Sequence, residues 1–381
     1  MRKSLKQLIQ NIFSAERNEH EPDRNLIITI GIIVVFGLVM LSSASSVVAY
    51  AEFGDSYHYL KHQLVGLALG VMAFFLFFSR VDYHRWRKYA FGLLIFSVFL
   101  LSLVFVPGLG KIVNGSRSWI EIFGQSLQPS EFVKLSFLLY LAAWLESRGK
   151  NLADFHQGIG PFIIVLGVIA GLMLLQPDIG TLSIVAATSL IVYFAAGGKI
   201  RHILTIILLG VLAFAALAQA KPYQMDRFRC MMDPQFSSQD ACYQINQSLI
   251  AIGSGGIWGR GLGASRQKYM YLPEVSGDSI FAIIGEETGL IFSGALIMLY
   301  IYLFYRGYLA SKYAPDGFGR ILAIGIVSWI VLQAMINIGG MLNVLPMTGV
   351  PLPLVSYGGS AIMACLAALG ILVNISKQTR Q

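Results

Sequence analysis

Residues 26–49 read LIITIGIIVVFGLVMLSSASSVVA, a mostly apolar run without a charged side chain. About 20 such residues in a helix are enough to cross the hydrocarbon core of a bilayer. A polar segment, residues 1–25, precedes the run, and no small-residue cleavage pattern follows it. We therefore expect a retained transmembrane helix rather than a cleaved signal peptide.

Further apolar runs of similar length follow along the chain, and the overall composition agrees with them. Of the 381 residues, 56% are hydrophobic and 13% are charged, whereas soluble domains carry about 25% charged residues. We predict an all-α integral membrane protein with about ten transmembrane helices in residues 26–376, and short tails at 1–25 and 377–381. The other nine runs lie at 63–79, 88–107, 131–145, 161–176, 179–196, 202–219, 280–305, 321–342 and 358–375.

The formal charge of +8 comes from Lys and Arg residues dispersed between the apolar runs. Nucleic-acid binding would need them clustered on one face, so we expect no nucleic-acid partner. Cytoplasmic loops of membrane proteins carry an excess of Lys and Arg. That excess falls on the side shared by the two termini. We therefore expect both termini in the cytoplasm and residues 220–279 as a long extracytoplasmic loop between helices seven and eight.

This long loop holds two of the three cysteines, Cys230 and Cys242. In an oxidising compartment they could pair, but the sequence cannot show that their Cβ atoms meet within the narrow geometry required. Cys365 falls in the last apolar run, where packing is the simpler interpretation. No His and Cys stand at zinc-site spacing. Any metal would be a hard divalent cation, Mg²⁺ or Mn²⁺, on oxygen ligands.

Loops as long as 220–279 are usually functional or disordered, and the aromatic and apolar content of this one favours structure. Residues 245–252 are apolar enough for a short interfacial helix. The glycine-dense stretch from Gly253 to Gly263 permits tight turns and a close approach to a lipid surface. A nucleotide cradle is the weaker interpretation, because no strand precedes these glycines.

Several ionisable residues stand at or inside apolar runs, where they are costly and mark a functional cavity by default. Glu131 and Lys134 share a helix face, and Glu286 and Glu287 lie within the eighth run. Three alternatives stay open. The Glu131–Lys134 pair could simply neutralise itself, Glu287 could hydrogen-bond a neighbouring helix, and Asp178 could be only a helix cap.

The segment KYMYLPEVSGDSIFAIIGEETG, residues 268–289, carries the acids best placed for chemistry. Its proline and glycine force a turning path that leaves Glu274 and Asp278 on the outward surface just before helix eight. On a helix, Glu286 would lie about 12 Å deeper than Asp278. Those two acids cannot share a proton, so we expect Asp278 to act alone or with Glu274.

Six motifs in order give the chain a family resemblance over nearly its whole length. It resembles the SEDS proteins, the ten-helix peptidoglycan glycosyltransferases that include FtsW and RodA, and IIGEE looks more like the FtsW branch. One departure is the sequence Val275-Ser276-Gly277 just before Asp278, where the family commonly carries histidine with serine or threonine. The motifs are NGSRSWI (114–120), QPSEFVKL (128–135), QPDIGT (176–181), GRGLGASRQKYMYLPE (259–274), DSIFAIIGEETG (278–289) and GVPLPLVSYGGS (349–360).

The resemblance implies a lipid II polymerase on the outer face of the bacterial cytoplasmic membrane, acting in cell division or cell shape. Asp278 would be the general base on the acceptor sugar hydroxyl, helped by Glu274, with inversion at the donor carbon. Asp278 could also hold a divalent cation. The implied partners are a class B penicillin-binding protein and divisome proteins. The expected substrate-binding residues are Arg117, Lys134, Glu131, Asp178, Arg260, Lys268, Ser356 and Tyr357.

Two other function classes compete with a glycosyltransferase. A transporter that flips the same lipid would explain the intramembrane charges and broken helices, but it should need polar residues along the whole membrane depth. The polar motifs gather at the outward ends of the runs, which favours surface chemistry. A non-catalytic divisome scaffold would have little reason to keep these charged groups together.

Overall fold

The computed structural model describes residues 20–113, 116–122, 125–220, 222–234, 236–237 and 239–379. The tail at 1–19 and Asn114 and Gly115 of the first motif lie outside the described residues. Twelve α helices form within the described ranges. They are α1 (Arg24–Phe53), α2 (His58–Ala73), α3 (Tyr83–Leu103), α4 (Pro129–Arg148), α5 (Gly160–Leu175), α6 (Ile179–Ala195), α7 (Ile200–Ala220), α8 (Pro222–Met232), α9 (Tyr243–Gly255), α10 (Ile280–Lys312), α11 (Gly317–Met341) and α12 (Gly359–Ser376).

Ten of these helices, α1 to α7 and α10 to α12, coincide with the ten predicted spans, which confirms the predicted all-α membrane fold. The helices α8 and α9 lie in the long loop, and α9 contains the short helix predicted at 245–252. Among the described residues six segments are long and apolar enough to cross a membrane alone, and α6 and the first part of α7 are shorter apolar helices. Those six are Arg24–Phe53, Tyr83–Leu103, Phe155–Leu175, Ile280–Lys312, Gly317–Met341 and Gly359–Ser376.

The two ends of the described chain meet at one end of the bundle, which we call the terminal end. The backbone N–H of His20 donates to the carbonyl of Lys377 at 3.0 Å. Arg306, near the end of α10, donates through Nε to the Asp23 carboxylate at 2.8 Å. A chain that crosses the membrane an even number of times has both of its ends on the same side, as seen here. We call the opposite end, which carries Asp278, the site end.

Helices α11 and α12 form the centre of the bundle, and α11 packs against α4, α6 and α10. Small residues allow the close approach, as is common between membrane helices. A Cβ at Gly307 of α10 would lie 2.6 Å from Val327 of α11, and one at Gly325 would lie 2.5 Å from Leu138 of α4. The lipid-facing side chains are on the outer helices, as Ile32 and Val35 of α1 show.

A small antiparallel sheet, which the sequence analysis did not predict, joins α3 to α4. Its strands are β1 (Gly110–Val113), β2 (Ser116–Ile122) and β3 (Gln125–Leu127), in the order β1-β2-β3. Ser116 Oγ donates to the carbonyl of Gln176 at 2.6 Å, so the sheet is tied to the turn between α5 and α6.

Helix α10 is interrupted at Gly289, whose φ of 70° and ψ of −173° are not helical. All residues from Ile280 to Gly289 are buried, whereas Leu290 is 67% exposed. The predicted span 280–305 is therefore a buried first segment followed by a lipid-facing one that runs to Lys312. Hydropathy could not reveal the break, because the sequence is apolar on both sides of Gly289.

Candidate active site

Asp278 lies in the turn that leads into α10. Its carboxylate Oδ1 accepts a hydrogen bond from Gln244 Nε2 at 3.2 Å. Part of its surface stays open, although protein atoms crowd the carboxyl group on its other sides. Burial, reinforced by the negative charge of Glu274, raises the pKa of Asp278 to about 7, while Arg227 acts in the opposite direction. The carboxyl group is thus partly accessible, and its raised pKa keeps more of it protonated at neutral pH than an exposed aspartate would be.

Arg227 and Gln244 come from α8 and α9, which a Cys230–Cys242 disulfide joins. The pairing that the sequence left open is thus present in the structure. Arg227 Nη1 also donates to the carbonyl of Met347 at 3.0 Å. Because this part of the loop is linked covalently and hydrogen-bonded to residues 345–350, it forms a fixed wall beside Asp278.

Asn337 of α11 holds the backbone on both sides of the acid. Its Nδ2 donates to the main-chain carbonyl of Asp278 at 2.7 Å and to that of Val350 at 2.8 Å. Next to Val350, Gly349 has a φ of 74°, and a Cβ there would lie 3.6 Å from Asp278 Oδ2. One turn before Asn337, Gln333 Nε2 donates to the carbonyl of Pro351 at 2.9 Å. These two amides fix the 349–351 segment against Asp278.

Glu274 and Tyr357 are brought to the same place. Glu274 adopts the left-handed conformation, with φ 53°, and its carbonyl accepts from the N–H groups of Gly277 and Ser279 at 3.0 and 3.1 Å. This tight turn folds Glu274 back toward Asp278. The Tyr357 N–H donates to the carbonyl of Ser276 at 2.8 Å. Asp278, Glu274 and Tyr357 therefore lie close together, and a role for Glu274 and Tyr357 in the reaction stays a prediction.

Ser356 is buried, and its side chain hydrogen-bonds within the turn formed by residues 352–356. Its Oγ accepts from the Leu352 N–H at 2.8 Å, and its carbonyl accepts from Gln63 Nε2 at 3.1 Å. The serine thus shapes the segment that carries Tyr357. Contact of Ser356 with substrate stays a prediction.

Glu131 and Lys134 lie deep in the bundle and pair with each other, the first of the alternatives considered above. Lys134 Nζ donates to Glu131 Oε1 and to Gln333 Oε1, both at 2.7 Å. It also lies 5.1 Å from the ring centre of Trp329. Substrate could reach either charge only if this buried pair opened. Through Gln333 the pair supports the same 349–351 segment that borders Asp278.

Asp178 and Arg117 lie at the site end near the small sheet. Asp178 caps α6 by accepting from the Thr181 N–H at 3.1 Å and also accepts from Ser130 Oγ at 3.2 Å. The cap interpretation is confirmed, and a binding role stays a prediction. Arg117, on β2, is half-buried, and its Nε has no hydrogen-bond partner among the described residues.

The glutamates of the eighth run anchor the glycine-rich part of the loop. Glu287 accepts from Lys268 Nζ at 2.9 Å and from Ser43 Oγ of α1 at 2.6 Å. Glu286 accepts from Ser265 Oγ at 2.5 Å and from the Arg266 N–H at 3.0 Å. The alternative in which Glu287 bonds a neighbouring helix is therefore present.

The two cations predicted in this segment differ in access. The Lys268 side chain is only 3% exposed and is neutralised by Glu287. Arg260 Nε lies 3.8 Å from Glu286 Oε1, and its side chain is 31% exposed. Of these two, Arg260 is the one that an anionic ligand can reach without breaking a buried pair.

Sequence reasoning did not assign Arg227, Gln244 or Asn337 to the site. A signal was available for the first two. Arg227 lies one helical turn before Cys230, and Gln244 lies two residues after Cys242. Once the cysteines are assumed to pair, the residues flanking the bridge become candidates for one site.

A divalent cation would need oxygen ligands near Asp278. Among the described residues no group of three or more His, Cys, Asp or Glu side chains forms a metal site. Asp278 and Glu274 supply two carboxylates, and Mg²⁺ is commonly bound by one or two carboxylates plus substrate phosphates. The residues therefore fit a cation that arrives with a diphosphate, which stays a prediction.

Known proteins resemble this chain over nearly its full length. The family model described as "Cell cycle protein", covering FtsW, RodA and SpoVE, matches residues 23–381. Stage V sporulation protein E of Bacillus subtilis is 41% identical over 362 residues, which are 94% of this chain and 98% of that protein. A probable peptidoglycan glycosyltransferase FtsW of Geobacter sp. (strain M18) is 38% identical over 349 residues, covering 92% and 95%.

Solved structures share the fold. A chain from a structure on the coordination of polymerization and crosslinking by a peptidoglycan synthase complex matches with a TM-score of 0.76 and 28% identity, covering 93% of this chain and 97% of that one. The crystal structure of the rod shape determining protein RodA of Thermus thermophilus gives a TM-score of 0.70 and 29% identity, covering 94% and 98%. The chain therefore belongs to the SEDS family of FtsW, RodA and SpoVE, and it is a multi-pass membrane glycosyltransferase of that family.

Proposed function

We propose that this enzyme polymerises lipid II into peptidoglycan glycan strands on the outer face of the bacterial cytoplasmic membrane. The observation that carries the proposal is the state of Asp278, whose carboxyl is partly open and has its pKa raised to about 7 by burial. A general base works best when its pKa lies near the working pH. Residues with strongly shifted pKa values in a cleft are candidates for catalysis.

Asp278 acts on the acceptor sugar. Its deprotonated carboxylate takes the proton of the acceptor hydroxyl while that oxygen attacks the anomeric carbon of the donor. The bond between this carbon and the lipid diphosphate breaks, the configuration inverts, and the proton stays on Asp278. Glu274 lies close enough to raise the proton affinity of Asp278.

The leaving diphosphate gathers negative charge and needs cations. Arg117, at the site end, carries a buried Nε without a hydrogen-bond partner in the described part of the chain. Lys134 and Lys268 would serve only after separating from their glutamates. A divalent cation between Asp278 and the diphosphate would stabilise the same charge when bound.

The proposal also includes the orientation of the protein in the membrane and its protein partners. We place both termini in the cytoplasm and Asp278 outside. A class B penicillin-binding protein is the expected partner, with other divisome proteins. The similar fold within a complex that coordinates polymerization and crosslinking supports this.

The interior charges favour a transferase over a transporter. Glu131 and Lys134 satisfy each other at 2.7 Å. The cavity beside Lys134 has a volume of about 10 Å³, room for one water molecule at most. This buried charged pair therefore does not line a passage wide enough for a lipid head group.

Replacing the base tests the proposal. The protein, reconstituted with its transpeptidase partner and purified lipid II, should form glycan strands, and Asp278→Asn should lower the rate about 10³-fold. Asp240→Asn is the matched control, because Asp240 is an exposed carboxylate of the same loop, and it should retain the parental rate. Parental turnover by the Asp278 variant would exclude this carboxylate as the base.

A further inference from the structure

A groove open to the side of the bundle runs between α1 and α10, outside the site described above. It has a volume of about 760 Å³, and apolar side chains line it. Ile32 and Val35 of α1 are 47% and 62% exposed, and Phe292 of α10 is 55% exposed. A groove of this kind beside lipid accepts a hydrocarbon chain rather than a polar ligand.

The groove follows α1 over a large part of the membrane. Its lining extends from Ile28 to Met40, a distance of about 18 Å at the helical rise. Its upper end, which faces the site end, is closed by Trp258, Leu262 and Glu287. The groove therefore runs from the level of Glu287 toward the terminal end, parallel to the helices.

The loop residues 256–262 cover the upper end of the groove, and we call them the roof. They dock on α10 where the helix is interrupted at Gly289. The N–H groups of Arg260 and Gly261 donate to the carbonyls of Glu286 and Glu287 at 2.9 and 3.0 Å. On the other side of the break, the Leu290 N–H donates to the carbonyl of Gly256 at 3.0 Å. The roof is thus fixed by main-chain bonds to both segments of α10.

The roof and the residues just after it carry positive charge next to the apolar channel. The side chain of Arg260 is 31% exposed, and Arg266 is exposed, with its N–H bonded to Glu286. Three cations, Arg260, Arg266 and Lys268, stand near two glutamates, Glu286 and Glu287, so the net charge of this group is +1. Arginine binds diphosphate oxygens in a bidentate manner, and Trp258 is a residue type typical of the membrane interface.

We propose that this groove binds the isoprenoid chain of a polyprenyl diphosphate, with the diphosphate at Arg260 and Arg266. The assignment rests on the proposed polymerase function and deepens it. Arg260 lies beside Glu286, which stands about 9 Å along α10 from Ile280. Asp278 lies before that helix, so a diphosphate bound at Arg260 is too far from Asp278 to be attached to the carbon under attack. The lipid in this groove is therefore the acceptor, whose reacting hydroxyl lies at the far end of its sugar head.

Gly31 offers a way to fill the groove without disturbing the fold, because a Cβ there would meet no atom within 4 Å. Gly31→Phe places a ring in the channel. Gly167→Phe is the matched control, since Gly167 on α5 is equally free of neighbours and does not line this groove.

Photolabelling tests binding directly. The probe is a C55 polyprenyl diphosphate with a diazirine on the third isoprene unit from the diphosphate, in phosphatidylcholine vesicles holding the full-length protein. We expect labelling within residues 28–40 for the parent and Gly167→Phe, and about ten-fold less for Gly31→Phe, since each lost methylene contact weakens binding. Unlabelled polyprenyl diphosphate should displace the probe, and phosphatidylglycerol should not. Labelling elsewhere, an unaffected Gly31→Phe, or equal displacement by phosphatidylglycerol would overturn the assignment.

Turnover separates this assignment from the proposed function. Gly31→Phe should raise the KM for acceptor lipid about ten-fold with kcat unchanged, because the groove is remote from Asp278. If the parent labels at 28–40 but forms no glycan, the polymerase proposal fails and the groove stands. If the parent polymerises without labelling there, only the groove assignment fails.

Discussion

Two groups of acids lie within nine residues of each other, the partly open Asp278 and the fully buried Glu286–Glu287 pair, and their surroundings are opposite in character. Glu287 meets the Lys268 ammonium at 2.9 Å and the Ser43 hydroxyl at 2.6 Å. Asp278 meets one neutral amide at 3.2 Å. A buried charge that is paired and hydrogen-bonded supports structure, whereas one with little compensation takes up a proton. The number and charge of their partners therefore identify Glu287 as a structural residue and Asp278 as the candidate reactive one.

The largest effect should come from breaking the scaffold pair. Lys268→Met leaves Glu287 buried without its cation and should lower the free energy of unfolding by about 3–5 kcal/mol. Denaturation in detergent, followed by the loss of helical signal, measures it. The double variant Lys268→Met with Glu287→Gln should recover much of the loss. Unchanged stability of the single variant would contradict the scaffold role.

The next effect concerns the cross-link beside Asp278. Replacing Cys230 and Cys242 by serine opens a loop with a sequence separation of 12, which should cost about 3 kcal/mol. Hydrogen exchange should rise in α8 and α9 and stay unchanged in residues 280–288, which the glutamates hold. Cys365→Ala, which removes the free buried thiol, is the control for cysteine replacement. An equal rise of hydrogen exchange in α8–α9 and in residues 280–288 would contradict the claim that the two regions are held independently.

A smaller effect should follow loss of the amide that holds the Asp278 backbone. Asn337→Ala removes the bonds to Asp278 and Val350 and should lower kcat about 10- to 100-fold, with a shifted acidic limb of the pH profile and little change in KM. Asn374→Ala is the control, because Asn374 is a buried amide that donates to Ser79 at 3.2 Å near the terminal end. It should lower stability without moving the pH profile. The same pH profile in the parent and Asn337→Ala would reduce Asn337 to a packing role.

The smallest effect is on the titration of Asp278. Its pKa of about 7 means that the base is protonated below and ionised above that pH, so kcat/KM should rise as the pH increases from 6 to 8. Arg227 lowers this pKa, so Arg227→Gln should move the midpoint upward by less than about one unit. A native carboxyl that keeps its proton until pH 7, while the unfolded one loses it near pH 4, weakens the fold across that interval. Asp278→Asn should therefore be at least as stable as the parent at pH 8, and an unmoved midpoint in Arg227→Gln would contradict the electrostatic role of that arginine.

Hydropathy predicted the helices correctly because each one has to satisfy its own backbone hydrogen bonds in lipid. The motifs also placed Asp278 and Glu274 together just before helix eight. Hydropathy could not place Gly289 as a break, since that break depends on backbone bonds to residues 256–261. These bonds form only after a distant loop has docked.

The contributions of Arg227, Gln244 and Asn337 are equally long-range. Arg227 and Gln244 reach the site from α8 and α9, and Asn337 reaches it from α11, 59 residues beyond Asp278. The sequence contained the cysteines that join α8 to α9, but not the proof that they pair. Likewise, Lys134 and Lys268 looked available for phosphate, because spacing along the chain does not show that each faces a buried glutamate.

The break at Gly289 also bears on biogenesis. The lipid-facing segment from Leu290 to Lys312 is about 34 Å long, enough to cross the hydrocarbon core by itself. Glu286 and Glu287 therefore need not enter the bilayer during insertion, which spares about 2.5–3.5 kcal/mol for each charge on translocon scales. The helix can be threaded first, and the buried segment before it can be assembled afterwards, when Lys268 arrives from the loop.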